Sequence, residues 1–206
     1  MRLYYAPGTI SIAVAIALHE AGLPFEPHRV DFRNAEQTKP EYLAINPKGR
    51  VPALETDGCV LTETGALLEF IAARAPDAHL VPDDPADAAH MRGVMYYLAS
   101  TMHVNHAHGL RGTRWADQPE SHADMAQKVP QTMAASAAYI QAHCLDGPFV
   151  MGEQFTLADP YVFVVCNWLE GDKVDLADFP AIKAFLDRMR SRTSVQAVID
   201  QGMLSR

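Results

Sequence analysis

The sequence predicts a small α/β domain followed by an all-helical domain, and three observations lead to this prediction. Over the first third of the chain, short β-prone runs alternate with apolar helical segments. Residues 75–85 then contain three prolines and three aspartates, which prevent a continuous helix or a central strand. Beyond them, almost every window has helical periodicity. Within the 206 residues we expect a first domain at 1–75, a linker at 76–87 and a second domain at 88–206.

The first domain is predicted in βαβ–ββα order, beginning with a strand at residues 2–5. Residues 10–21 predict a helix that is apolar on nearly all sides, so we expect it to be buried. Residues 25–32 predict a second strand. Because Pro27 cannot donate to a neighbouring strand, we expect this strand at an edge of the sheet or at a bulge.

A hairpin and a second helix complete the first domain. Two short apolar runs at 51–54 and 59–61 flank a turn that contains Asp57 and Gly58, which is typical of a β-hairpin. Residues 63–74 then predict a helix. Its apolar residues at helical spacing are Leu67, Phe70 and Ile71.

The second domain is predicted from apolar residues that step by three and four. The first such stripe consists of Met91, Val94, Met95, Leu98 and Met102. Further helices are predicted at 120–144, 157–169, 180–190 and 194–200. Pro130 weakens the first of these helices. At the start of the next one, Thr156 and Asp159 have the spacing at which a hydroxyl and a carboxylate satisfy free amides of a first turn.

Composition argues against several classes of partner. The chain has 17 Lys and Arg residues against 25 Asp and Glu residues, a net charge of −8, and its basic residues are scattered, so we expect no nucleic-acid partner. No apolar run approaches the roughly 18 residues of a membrane helix, so we expect no membrane span. The start of the sequence lacks the features of a secretory signal, and we expect a cytoplasmic protein.

The metal-binding residue types do not form a convincing site. The cysteines are Cys59, Cys144 and Cys166. They lie far apart and include no C-x-x-C pair, so neither a disulfide framework nor a zinc site is predicted. His103, His106 and His108 form an H-x-x-H-x-H pattern, but no cysteine or carboxylate lies close to it in sequence. We therefore expect no metal.

Several short stretches occur in an order that points to a family. They are LYYAPGTIS (3–11), IALHEAG (16–22), NPKGRVPAL (46–54), LTET (61–64), FTLAD (155–159), VVCNW (164–168) and FPAI (179–182). Together they resemble the cytosolic glutathione transferases, and the last two are similar to the bacterial beta class. The resemblance implies a thioredoxin-like first domain, an all-α second domain, glutathione as cosubstrate, and a homodimer that pairs unlike domains of two subunits.

The sequence departs from the beta class at one position. Members of that class usually carry a cysteine directly before the serine of the first loop, whereas here Ile10 precedes Ser11. None of the three cysteines takes that place. Chemistry through a mixed disulfide between enzyme and glutathione is therefore not expected.

Activation of glutathione requires a donor near its sulfur. Lowering a thiol pKa of about 8.5 by about two units takes roughly 2.7 kcal/mol of preference for the thiolate. A helix N-terminus contributes about 0.3–2 kcal/mol, and one hydrogen bond to a charged acceptor contributes about 1.5–3 kcal/mol. The candidate donors are Ser11, which we favour, Thr9, the amides around Ile10, and Tyr5, which resembles the donor of other classes. Ser11 could also serve as the N-cap of the helix.

The resemblance also implies residues that bind the rest of glutathione. A cis bond before Pro52 would present the Val51 backbone to the cysteinyl residue; the alternative is an ordinary trans proline. Thr64 would receive a carboxylate and Glu63 the ammonium group, or the two would form a capping pair. Further candidates, implied or simply nearby, are Lys48, Arg50 and His103.

The electrophile is expected to bind in the second domain. The candidate residues there are His106, Arg111 and Trp115. For His106 and His108, a solvated helix surface is the alternative.

The function predicted from these residues is conjugation of the glutathione thiolate to small hydrophobic electrophiles. Glutathione-dependent isomerisation, dehalogenation or peroxide reduction on the same scaffold is the first alternative. A glutathione- or ligand-binding protein without turnover is the second.

Overall fold

The computed structural model describes residues 1–205, which pack as two compact units. Residues 1–82 form the first unit together with the segment from Met189 onward, and residues 83–188 form the second. The sequence predicts a single helical domain for residues 88–206. The closing segment packs instead with the first unit, because its apolar side chains, including Val195 and Val198, are buried there.

The first unit contains a four-stranded mixed sheet. Its strands are β1 (Arg2–Tyr5), β2 (Glu26–Arg29), β3 (Ala53–Thr56) and β4 (Cys59–Thr62). They lie in the order β2-β1-β3-β4. Strand β1 pairs parallel with β2 and antiparallel with β3, and β4 pairs antiparallel with β3. This is the predicted βαβ–ββα sheet, and Pro27 lies in an edge strand as expected.

The α-helices are α1 (Ser11–Glu20), α2 (Pro40–Leu43), α3 (Thr64–Arg74), α4 (Pro85–Tyr97), α5 (His103–Ala107), α6 (Pro119–His143), α7 (Ala158–Cys166), α8 (Pro180–Arg190) and α9 (Thr193–Asp200). Helix α1 is buried from Ser11 to Leu18, as its apolar circumference predicted. Within residues 1–205, no helix combines the length and the apolar composition that a membrane span requires.

Three local features differ from the predicted elements. Strand β2 ends at Arg29 rather than at residue 32, because the Asp31 carboxylate accepts the amides of Arg33 and Asn34 and starts a 3-10 turn there. The apolar stripe is buried as predicted, but its helix widens into a π-helix at Leu98–Met102. Helix α6 continues through Pro130 without a break.

Helix α7 begins differently from the predicted capping pair. The Asp159 carboxylate accepts the Thr156 amide at 2.6 Å, but the Thr156 hydroxyl donates to that carboxylate instead of accepting an amide. The other carboxylate oxygen accepts the Val150 amide at 2.8 Å. Asp159 has no exposed surface. Asp159 therefore joins the turn at Val150 to the start of α7 through hydrogen bonds. The spacing of Thr156 and Asp159 in the sequence does not predict the contact with Val150.

Candidate functional site

The loop between β1 and α1, residues 6–10, brings two hydroxyl groups together. The Thr9 Oγ1 atom lies 2.7 Å from Ser11 Oγ, and either can be the donor. The Thr9 hydroxyl also donates to the Ala6 carbonyl at 2.8 Å, while the Ala6 amide donates to Ser11 Oγ at 3.2 Å. Thr9, Ser11 and Ala6 therefore form one hydrogen-bonded network.

The two hydroxyls differ in exposure, and this difference favours Thr9 over Ser11 as a donor to a ligand. Ser11 has 0% exposed surface, whereas Thr9 is partly exposed. A ligand does not reach a fully buried side chain in this conformation. Ser11 is not the N-cap either, because the cap position of α1 belongs to Ile10 and Ser11 is the first helical residue. The hydroxyl that this loop exposes is that of Thr9.

A ligand can receive a hydroxyl hydrogen from this network only in exchange for an existing hydrogen bond. When Ser11 donates its hydrogen to Thr9 Oγ1, the Thr9 hydrogen can leave the Ala6 carbonyl, which keeps the Thr9 amide as a donor at 3.3 Å, and turn outward. The Ser11 amide lies 3.4 Å from the same oxygen and supports that arrangement. A hydroxyl hydrogen bonded to an anion is worth about 1.5–3 kcal/mol, which covers the roughly 0.7–2.4 kcal/mol that thiolate formation requires beyond the helix N-terminus.

The remaining candidate donors have different positions. Tyr5 is buried at the end of β1 and pairs through its backbone with Arg29. The Ile10 side chain is also buried. Among residues 1–205 the Ile10 amide has no hydrogen-bond partner, as expected for an amide at a helix start. The Ile10 amide therefore remains a candidate beside Thr9, whereas the Tyr5 side chain is poorly accessible.

The Val51–Pro52 peptide bond is cis, as the resemblance implied. Within the described chain, the amide and carbonyl of Val51 have no hydrogen-bond partner. The preceding carbonyl, that of Arg50, accepts the Tyr42 hydroxyl and the Asn46 side-chain amide, each at 2.7 Å. The backbone is thus fixed just before Val51, whose own polar groups remain available to an extended peptide.

Strand β4 leads into α3 through a residue with unusual backbone geometry. Glu63 has φ 75° and ψ 121°, a region that residues other than glycine rarely adopt. It precedes Thr64, the first residue of α3, and its side chain does not cap the helix. The alternative of a capping pair between Glu63 and Thr64 is therefore wrong. First-turn amides of a helix lack internal acceptors and favour an anion, so this end of α3 suits a carboxylate.

Lys48 and Glu63 form an ion pair, which the sequence analysis did not predict. Lys48 Nζ lies 2.5 Å from Glu63 Oε1 and donates to Thr62 Oγ1 at 2.7 Å. Both charged side chains are more than one-third exposed, so the pair contributes little to stability and opens readily. The roles expected of Lys48 and Glu63 toward glutathione therefore require this pair to open or rearrange.

In the second unit, His106 belongs to a hydrogen-bonded pair. Its Nδ1 atom lies 2.7 Å from Oδ2 of Asp172, whose side chain is nearly buried. The His106 ring stacks on Trp168 with ring centroids 4.2 Å apart, and the His103 ring lies 4.9 Å from the same indole. The expected alternative of a solvated imidazole is therefore wrong for His106.

The other two candidates for the electrophile pocket are Trp115, which belongs to a second pair of contacting rings in this unit, and Arg111, which lies close to it in sequence. Trp115 is about half exposed, and its ring makes an edge contact with His108 at 4.4 Å. His108 is itself partly exposed, so the alternative of a solvated imidazole stays open for this residue. Arg111 directly precedes the 3-10 turn Gly112–Arg114 that leads to Trp115.

Two residues that contact His106, Asp172 and Trp168, were not predicted from the sequence as site residues. Asp172 is 66 positions from His106, and no local pattern connects a helix residue to a distant turn. Trp168 lies in a stretch that carries the resemblance, but only the structure shows that it packs against both histidines.

Two of the three thiols are held protonated. Burial raises the pKa of Cys144 to about 11 and that of Cys166 to about 12. Cys59 is exposed, and its thiol donates to the Thr56 carbonyl at 3.2 Å. In the part of the chain that the structure describes, no three His, Cys, Asp or Glu side chains cluster as a metal site.

Both halves of the chain match models of known protein domains. The model "Glutathione S-transferase, N-terminal domain" matches residues 1–73, and "Glutathione S-transferase, C-terminal domain" matches residues 87–193. The chain is also 31% identical over 199 residues to Glutathione S-transferase GstA of Escherichia coli O157:H7, an alignment that covers 95% of this chain and 96% of that protein.

An isomerase and a solved structure are similar as well. The chain is 30% identical over 193 residues to a maleylacetoacetate isomerase of Pseudomonas aeruginosa, covering 91% and 90% of the two chains. It is 63% identical, with a TM-score of 0.98 over 98% of each chain, to the crystal structure of a glutathione transferase homologue from Sulfitobacter with bound glutathione.

Proposed function

Because the chain belongs to the glutathione S-transferase family, we propose that it activates glutathione as a thiolate and transfers it to small hydrophobic electrophiles. The observation that supports this proposal most is the similarity, at 63% identity over 98% of the chain, to a structure with bound glutathione. Glutathione is the cosubstrate, and no step requires a metal.

Glutathione binds to the first unit in this proposal. The amide and carbonyl of Val51 pair with the cysteinyl backbone as an added strand. The first-turn amides of α3 and the Thr64 hydroxyl bind a carboxylate. When the Lys48–Glu63 pair opens, Glu63 accepts the ammonium group of the tripeptide and Lys48 attracts a carboxylate.

The Thr9 hydroxyl stabilises the thiolate. Thr9 is the exposed member of the hydroxyl pair, and the buried Ser11 donates to its oxygen. With the Ile10 amide and the N-terminus of α1, this donor supplies the roughly 2.7 kcal/mol that a two-unit fall of the thiol pKa requires. Ile10 itself supplies no thiol, so glutathione is the nucleophile throughout.

The electrophile binds to the second unit at the aromatic side chains around His106. Asp172 holds Nδ1 of His106, which directs Nε2 toward a substrate, and Trp168 offers an apolar ring face. Arg111 and Trp115 are further candidates for this pocket. This composition favours small hydrophobic or aromatic electrophiles with a polar group.

Glutathione-dependent isomerisation is a second candidate function. The specific observation that favours it is the 30% identity to a maleylacetoacetate isomerase over 91% of this chain. Transfer and isomerisation both begin with addition of the thiolate, so the same first unit serves either reaction. They differ in whether the carbon–sulfur bond remains in the product.

We also propose a cytoplasmic homodimer with a role in detoxification. Family membership supports the dimer, and twofold dimers are the commonest closed assemblies among soluble oligomers. Sedimentation should give about twice the 22.6 kDa mass of one chain. A single species at the mass of one chain would contradict the dimer.

The experiment combines a glutathione titration by calorimetry with rate measurements on aryl halides, epoxides, peroxides and maleylacetoacetate. Binding with turnover of the halides or epoxides supports transfer. Glutathione returned unchanged with an isomerised product supports the second candidate. Binding without any turnover indicates a ligand-binding protein, and the absence of glutathione binding contradicts every version of the proposal.

A further inference from the structure

The turn that follows α9 contacts the loop that carries Thr9. The carbonyl oxygen of Met203 accepts the Gly8 amide at 3.0 Å, one residue before Thr9. We propose that this turn, residues 201–203, is a positioning element of the glutathione site, because it holds Gly8 and thereby directs the Thr9 hydroxyl. The inference rests on the proposed function, in which Thr9 stabilises the thiolate.

The turn holds the Met203 carbonyl in a defined place. The Met203 amide donates to the Val198 carbonyl at 2.9 Å, and the Gly202 amide donates to the Ile199 carbonyl at 2.9 Å. Gly202 has φ 69°, so these two bonds form the left-handed ending that many helices share. Met203 is fully buried. The acceptor offered to Gly8 therefore has little freedom.

Helix α9 is itself fixed against α1. The Arg192 guanidinium donates to both carboxylate oxygens of Glu20, each at 2.7 Å, and the Ser194 hydroxyl donates to the same carboxylate. Near the other end of α9, Gln201 Oε1 lies 3.4 Å from His19 Nε2. Glu20 and His19 lie at the C-terminal end of α1, and the Thr9 loop leads into the N-terminal end of the same helix. The contacts between α9 and α1 therefore fix the turn relative to the loop.

The loop is anchored on both sides of Thr9. On the helix side, it is fixed by the hydrogen bonds between Ser11 and Ala6. At Gly8, which has φ 69°, a Cβ atom would meet no atom within 4 Å, so the space beside the backbone is open there. The bond to Met203 supplies a fixed point directly before Thr9.

The positioning turn lies outside the segments that the family models match. These segments end at residues 73 and 193, before the turn begins at residue 201.

A pair of glycine substitutions tests the inference with a matched control. Gly202→Val forces a β-branched residue into a left-handed conformation and displaces the turn. Gly22→Val does the same at the end of α1, where φ is 63° and the equivalent bonds join Leu23 to Leu18 and Gly22 to His19. A Cβ atom would meet nothing within 4 Å at either glycine. The backbone cost is therefore similar, and only Gly202 adjoins the loop contact.

Two measurements compare the variants with the parent. The first is hydrogen exchange of the Gly8 amide, and the second is the pKa of the bound glutathione thiol, obtained from the ultraviolet absorption of its thiolate. In Gly202→Val we expect faster Gly8 exchange and a thiol pKa raised by about one unit, which lowers the rate about tenfold below that pKa. Glutathione affinity measured at about pH 5.5, where the bound thiol is mostly protonated in both proteins, should change less than about twofold, since Val51 and α3 are untouched. Gly22→Val should change both readouts much less than Gly202→Val, because Gly22 lies at the end of α1 that is remote from the Thr9 loop.

Several results would overturn the inference. They are an unchanged Gly8 exchange rate in Gly202→Val, faster exchange with an unchanged thiol pKa, and equal effects in the two variants. If either valine variant fails to fold, Gly202→Ala and Gly22→Ala give the same comparison at lower strain. A parent protein that binds glutathione without lowering its thiol pKa instead refutes the proposed role of Thr9, while Gly8 exchange still reports whether the turn holds the loop.

Discussion

At the scale of single residues, the buried Ser11 hydroxyl holds the loop that carries Thr9. Its oxygen accepts the Ala6 amide, and its hydrogen reaches either the Ala6 carbonyl or Thr9 Oγ1. Ser11→Ala leaves the buried Ala6 amide without this acceptor. We expect a loss of about 1–3 kcal/mol in the free energy of unfolding, measured by urea denaturation.

The same substitution should lower turnover only modestly, because Thr9 keeps its own hydroxyl. Thr9→Val is the matched comparison: it should lower turnover more and stability less than Ser11→Ala. If Ser11→Ala abolishes turnover while stability is unchanged, the hydroxyl contacts the reacting sulfur and the assignment to Thr9 is wrong.

The Asp172–His106 pair gives a second prediction at this scale. Asp172→Asn keeps the shape of the side chain but removes the charged acceptor that orients the His106 ring. We expect KM for an aryl electrophile to rise about fivefold, equal to about 1 kcal/mol, with glutathione affinity unchanged. Asp187→Asn is the control, since its carboxylate is exposed and pairs with Lys183 one helical turn away. Equal KM values in the two variants would exclude His106 from the electrophile site.

At the scale of secondary-structure elements, Asp159 should determine whether α7 and the preceding turn hold together. Its carboxylate accepts two buried amides and one hydroxyl. Asp159→Ala should therefore lower the free energy of unfolding by about 3–5 kcal/mol, measured by urea denaturation. The control is Asp84→Ala at the start of α4, where an exposed carboxylate also accepts two amides and about 1 kcal/mol is expected. Equal losses would show that burial of Asp159 does not matter.

Elements set by local patterns were predicted well. The Asp57–Gly58 turn lies between β3 and β4, and the apolar circumference of α1 matches its burial. The end of β2 and the π-helix were not predicted. Asp31 competes for backbone amides that a strand pattern ignores, and the apolar stripe at Leu98–Met102 is compatible with either helix width.

The site was predicted only in part, for the same physical reason. A sequence identifies Thr9 and Ser11 as hydroxyl donors next to a helix start, but tertiary packing decides which of them faces out. Likewise, Asp172 meets His106 only through folding of the second unit, and the contact of Met203 with Gly8 crosses almost the whole sequence. Contacts of this kind leave no periodic signal.

At the scale of the whole molecule, the buried thiols predict loss of stability in alkali. Burial raises the pKa of Cys144 to about 11 and that of Cys166 to about 12, from an ordinary value of 9.0. Because the folded protein keeps protons that the unfolded chain releases, this stabilisation is complete below about pH 9 and is lost as the pH rises toward the folded pKa values. Between about pH 9 and the folded pKa values, the free energy of unfolding falls by about 1.4 kcal/mol per pH unit for each thiol.

Urea unfolding between pH 8 and about pH 10 measures this slope. The double variant Cys144→Ala with Cys166→Ala should flatten it, although the parent is expected to be the more stable protein near neutral pH. If the free energy of unfolding falls equally steeply in the double variant, groups other than these two thiols cause the loss of stability in alkali. Burial also raises the pKa of Tyr42 to about 12, which acts in the same direction at higher pH.

The central claim is that a neutral hydroxyl, that of Thr9, keeps bound glutathione ionised. The most direct measurement is an ultraviolet pH titration of the glutathione thiol in complexes of the parent, Thr9→Ser and Thr9→Val. We predict a thiol pKa about two units below its ordinary 8.5 in the parent and in Thr9→Ser, and a rise of at least about one unit in Thr9→Val. A Thr9→Val complex that titrates like the parent, or a parent complex whose thiol titrates near 8.5, would contradict the claim.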